Sequence, residues 1–104
     1  MALQGLGRFD EAILHYQAAI EKNPSDAAPH NNLAVGFSER GDAVRALEHY
    51  ERALVLQPDN ADAHVNLGLL LQQLHRRQEA MREVERALEL DPSHVKAREL
   101  LGRR

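Results

Sequence analysis

Apolar residues recur along most of the chain at spacings of three and four. Leu33, Ala34 and Phe37 form one such stripe, and Ala46, Leu47, Tyr50, Ala53 and Leu54 form another. That spacing belongs to a helix with one buried side. It predicts first helices over about 27–40 and 61–74, each followed by a second over about 43–56 and 77–90. Proline closes each second helix, and the polar residues after it (Ser25/Asp26, Asp59/Asn60, Ser93) are placed to cap the next one. Short turns join the helices of a pair, so the two lie antiparallel. Ala, Leu, Glu and Arg dominate and strand formers are few, so the chain reads as all-α.

The stripes return at a fixed distance. Pro24, Pro58 and Pro92 lie 34 residues apart, and the same shift aligns Ala12 with Ala46 and Ala80, and Ala19 with Ala53 and Ala87. It also places Tyr16 on Tyr50, His15 on His49, Gly7 on Gly41, His30 on His64, Asn32 on Asn66 and Leu33 on Leu67. About a third of the positions in 27–60 and 61–94 are identical. A period of this length means stacked supersecondary units, each too small to bury its own face. The chain divides into a partial repeat at 1–26, complete repeats at 27–60 and 61–94, and a partial repeat or capping helix at 95–104. It reads as part of a longer array, or as a small array with unusual ends, with six or seven helices. Gly5, Leu6 and Gly7 are expected in the turn before the first long helix.

This pattern resembles the tetratricopeptide repeat. Leu33, Ala34, Phe37, Ala46, Tyr50, Ala53 and Pro58 meet the family pattern in 27–60, as do Leu67, Gly68, Ala80, Ala87 and Pro92 in 61–94. Leu71 and Val84 stand where aromatics are usual, His30 and His64 where Trp is frequent, and His75 where Gly7 and Gly41 set the turn. These departures imply a looser third repeat. The resemblance implies a right-handed α-solenoid of antiparallel helix pairs with a concave groove that receives protein ligands.

With the small residues Ala34, Gly68, Ala46, Ala80, Ala53 and Ala87 committed to close helix packing, function falls to the opposite faces. At about 100° per residue, Asn31, Asn32, Val35, Ser38 and Glu39 lie opposite Leu33 and Phe37. In the next unit the corresponding set is Asp62, Val65, Asn66, Leu69, Gln72 and Gln73. These residues are the candidate peptide-binding surface, with Val35, Val65 and Leu69 as its apolar contacts. Asn32 and Asn66 repeat where helix propensity gives no reason for asparagine, and an amide can both donate to and accept from a peptide backbone. The pair looks like the asparagine ladder in the repeat region of O-linked N-acetylglucosamine transferase. Chaperone-binding members of the family grip a C-terminal carboxylate with cations on this face. The complete units here carry none, and only Lys96 and Arg103 fall on the matching face of the last partial unit.

Composition narrows the chemistry further. The chain has 104 residues, no Cys and a net charge of -3. Disulfides, thiolate catalysis and Cys-based zinc sites are excluded, and unspecific nucleic-acid binding is disfavoured. The first three segments carry -2 each and residues 95–104 carry +3, read as a solubilising cap over Val95, Leu100 and Leu101. The six histidines follow the repeat period or sit at turns, without a metal-binding pair spacing, so they read as scaffold. Carboxylates such as Glu83, Glu85 and Glu89 read as solvated helix faces. No catalytic residue, metal or cofactor is expected, nor a membrane span or secretory signal, and a cytoplasmic location follows by default.

The expectation is a protein-binding scaffold that takes an extended peptide or partner helix. Two alternatives stand beside it: a docking segment of a larger enzyme such as a glycosyltransferase, and an architectural self-assembly module. The N-terminal edge (Leu6, Phe9, Ile13, Tyr16) is expected to be the least stable part and to pair with a second copy of the chain.

Overall fold

A computed structural model of the chain describes residues 2–102, with side chains from Arg8 onward. Leu6 of the N-terminal edge and the terminal Arg103 and Arg104 fall outside the described side chains. Six helices make up the described residues, with no strand among them: α1 (Ala2–Lys22), α2 (Ala28–Glu39), α3 (Ala43–Leu56), α4 (Ala61–Gln73), α5 (Arg77–Leu90) and α6 (Val95–Gly102). The all-α expectation holds. The chain falls into two compact units, the first ending at Leu56 and the second beginning at Gln57.

In the first unit α2 packs against α3 and α1. Ala34, Ala46 and Ala53 are fully buried where the helix backbones approach, around Leu33, Phe37 and Tyr50. The second unit repeats this with Ala80, Ala87 and Gly68 between α4 and α5, while α6 packs on α5. A Cβ on Gly68 would lie 3.2 Å from the Ala80 carbonyl oxygen and 3.2 Å from Val84 Cγ2, so a methyl group there would need its neighbours to give by a few tenths of an ångström. Burying each Leu or Val side chain in such a core is worth about 1.5–3 kcal/mol.

At two of the three helix starts that follow a proline, an expected polar residue takes up a backbone amide. Asp26 Oδ1 accepts from the Ala28 amide, and Asn60 Oδ1 accepts from the Ala63 amide. At α6 the expected Ser93 is engaged with Asp91, and His94 Nδ1 instead accepts from the Ala97 amide. Both turns within pairs close the same way: the Asp42 amide donates to the Phe37 carbonyl, and the Arg76 amide to the Leu71 carbonyl, 2.9 Å each. That closure needs a left-handed residue. Gly41 supplies it at φ 82°, and His75 at φ 61°.

Two expectations are corrected here. Gly5, Leu6 and Gly7 are not in a turn but inside α1, which runs without a break from Ala2. Helical hydrogen bonding continues through these glycines and satisfies their backbone groups, since an isolated glycine weakens a helix without ending it. Val95, expected beneath the C-terminal cap, is 73% exposed, while Leu100 is buried and Leu101 partly so. On an eight-residue helix only the side carrying Ala97 and Leu100 reaches the core.

Candidate functional site

The candidate residues of the first unit all project from α2. Asn31, Val35 and Ser38 follow one another at helical spacing, with Asn32 and Glu39 beside them. Asn32 and Glu39 are exposed, Val35 is 37% exposed, and Asn31 and Ser38 are half-buried. Asn31 Oδ1 is enclosed, with no hydrogen-bond partner among the described residues. Glu39 stands near the buried Tyr50, whose phenol is pushed up to about 12 by burial and then by that carboxylate. No Lys or Arg belongs to this face.

In the second unit α4 carries the corresponding set, and the structure divides it. Asn66 is half-buried, Gln72 and Gln73 are exposed, and neither Asn66 nor Asn32 makes a side-chain hydrogen bond to another described residue. Asp62 is already held, accepting from His94 Nε2 at 2.6 Å. Val65, expected as an apolar contact of the open face, is only 3% exposed and belongs to a core with Val84, Ala87, Ala97 and Leu100. Leu69 packs partly against the same cluster. The reason is α6: a first helix in an array has a neighbour on two sides, and the helical wheel counted only its own partner. Val65 therefore leaves the candidate surface.

Two helix junctions were missed. His30 of α2 meets His49 of α3, Nδ1 to Nδ1 at 3.0 Å, and the His49 ring stacks on Phe37. Burial, then the charge of Arg52, holds the His30 imidazole below its ordinary value. Burial also lowers His49, followed by His30 and Arg52, against a smaller opposing influence of Glu48. In the second unit His64 Nδ1 meets Glu83 Oε1 at 2.8 Å, and His64 Nε2 meets the Pro58 carbonyl at 2.9 Å. Glu83 is thus not simply solvated, as its sequence surroundings suggested. The signal lay in the repeat register, because both junctions join residues 19 apart at equivalent positions. Among the described residues no group of three or more His, Cys, Asp or Glu is placed to hold a metal ion, and no helix is long and apolar enough to cross a membrane.

No curated protein matches the sequence significantly. Solved structures do. The first tetratricopeptide domain of Spaghetti (RPAP3), bound to the HSP90 peptide SRMEEVD, is 25% identical and superposes with a TM-score of 0.86, over 95% of this chain and 79% of that one. The tetratricopeptide domain of Arabidopsis OM64 is 25% identical, with a TM-score of 0.85 over 98% of this chain and 84% of that one. MamA, at 24% identity, superposes with a TM-score of 0.80 over 90% of this chain and 55% of that one. Sequence profiles described as TPR repeat match residues 5–41 and 36–74, and the tetratricopeptide repeat profile matches 61–94. With nearly the whole chain matched in this way, the protein belongs to the tetratricopeptide repeat family.

Proposed function

We propose that this chain is a protein-interaction module and that the α2 face holds an extended peptide by its backbone. The observation that carries the reading is the exposed Asn32 amide, without a side-chain hydrogen bond to any described residue, next to the exposed Val35 on a face without cations. An amide on such a face can donate to a peptide carbonyl and accept from a peptide N–H, whatever the side chains. Val35 adds an apolar contact, and Ser38 a hydroxyl. Asn66, Gln72 and Gln73 offer the same chemistry on α4 of the second unit. A solved structure of the same fold carries a peptide, which supports binding as the class of activity.

The charge on the face selects among ligands. Glu39 is its one ionised group, so an acidic C-terminal peptide meets repulsion where a carboxylate-gripping domain would place cations. Neutral, end-capped extended peptides are the better fit. Fluorescence anisotropy with a capped Ala/Ser/Val peptide and with SRMEEVD tests both points. The neutral peptide should bind more tightly. Asn32→Ala should cost it about 0.5–1.5 kcal/mol while the helical circular dichroism stays unchanged. A variant that binds the neutral peptide like the parent, or a parent that prefers SRMEEVD, would refute the reading.

A further inference from the structure

The two helix pairs carry the same junction with opposite chemistry. Between α2 and α3 the two imidazoles meet Nδ1 to Nδ1, so one ring donates and the other must remain neutral to accept. Between α4 and α5, both nitrogens of His64 face oxygen acceptors, the Glu83 carboxylate and the Pro58 carbonyl. A proton added to His64 makes a bond there. A proton added to the second ring of the His30–His49 pair breaks one.

We propose that the His30–His49 contact is an acid-sensitive latch: protonation of both rings removes its only acceptor, sets two cations against each other and loosens α2 from α3, while α4 and α5 stay joined. The two rings lie 5.3 Å apart, centroid to centroid, at a helix–helix junction where His30 is only 5% exposed. Solvent nonetheless reaches it, because His30 borders an open cleft of about 300 Å³ lined also by Pro24, Glu51, Arg52, Val55 and Leu56.

The charged surroundings supply no rescue. On α3, Arg52 opposes protonation of both rings, Glu48 favours it weakly at His49, and Glu51 lines the cleft without bonding either ring. Arg45, also on α3, lies over the Phe37 ring that stacks on His49. Ahead of α2, the Asp26 carboxylate is engaged with the Ala28 amide. On α1, Asp10 is paired with Arg40 at the far end of α2.

Both imidazoles titrate below their ordinary value of about 6.5 in the folded chain. Below that pH the unfolded form therefore binds more protons than the folded one. The latch contributes its full stability above about pH 6.5 and loses it as the pH falls through that value toward the folded-state values.

Hydrogen exchange of the whole chain at pH 7.5 and pH 5.5, corrected for intrinsic rates, reads the two pairs side by side. Protection in 28–56 should fall about 3- to 10-fold more than in 61–90, the size of one lost hydrogen bond. His49→Glu copies the second junction and should abolish the difference. His49→Gln, which takes no charge, should do the same if the glutamate variant does not fold. Equal loss in both segments, no loss in 28–56, or an undiminished difference in a folded variant would overturn the proposal.

Discussion

The helix pairs α2–α3 and α4–α5 share the small residues of their interior and differ at many of the positions around them. At equivalent positions Ala34 matches Gly68, Ala46 matches Ala80 and Ala53 matches Ala87, and every one of these is buried. One register step away the pairs diverge. Asn31, half-buried with an unpartnered Oδ1, corresponds to Val65, sealed under Ala97 and Leu100 of α6. Gly36, which lies against Phe9 of α1, corresponds to the buried Leu70. Gly41 corresponds to His75, and His49 to Glu83. Antiparallel packing within a pair imposes one steric demand, so small residues recur. The positions around them carry no such shared demand, so their chemistry changes both inside the pairs, at the turn and the histidine junction, and where a pair meets α1 or α6.

Exchanging residues between the pairs breaks this comparison most severely at 31 and 65. Val65→Asn would put an amide into an apolar core and forfeit the valine burial, lowering stability by about 3 kcal/mol. The reverse change, Asn31→Val, removes an unsatisfied acceptor and should raise stability by about 1 kcal/mol. Urea unfolding followed by helical circular dichroism measures both. Equal and small effects would mean that the two positions see the same surroundings after all.

Gly36→Ala comes next. Its Cβ would overlap Phe9 Cε1, so the ring must swing away and give up its edge-on contact with Phe37 at 5.3 Å. A cost of about 1–3 kcal/mol is expected, as for other overpacked contacts. Exchange protection should be lost first in α1, whereas Leu70→Ala in the second unit should leave α1 unchanged. Loss spread evenly over the chain would contradict this placement of α1.

The turns should give the smallest effect. Left-handed backbone costs a non-glycine residue about 1–2 kcal/mol, partly offset by the greater freedom that glycine loses on folding. His75→Gly should therefore stabilise the second pair by about 0.5–1 kcal/mol, and Gly41→Ala should destabilise the first by about 1 kcal/mol. Thermal melts of the two single variants should move in opposite directions.

Much of this architecture was legible because it is local and repeated. The helix boundaries followed from apolar spacing, and the structure places α3 and α5 over 43–56 and 77–90, the ranges read from the sequence. Asn60 acts as the anticipated cap, since its side chain needs only the amide three residues on. Gly5 and Gly7 lie inside α1 instead of a turn, because glycine lowers helix propensity without forcing a break.

The sequence by itself determined which residues face the interior of each helix pair, since a 3.6-residue period and a fixed 34-residue shift encode that directly. Only the tertiary structure decided what covers the other sides. It sealed Val65 beneath α6, tied Asp62 to His94, and left Asn32 and Val35 open on α2. It also set His30 against His49 and His64 against Glu83. The physical reason is that helical periodicity gives a side chain's direction, whereas its environment depends on a neighbouring helix whose approach is fixed by packing over the whole unit.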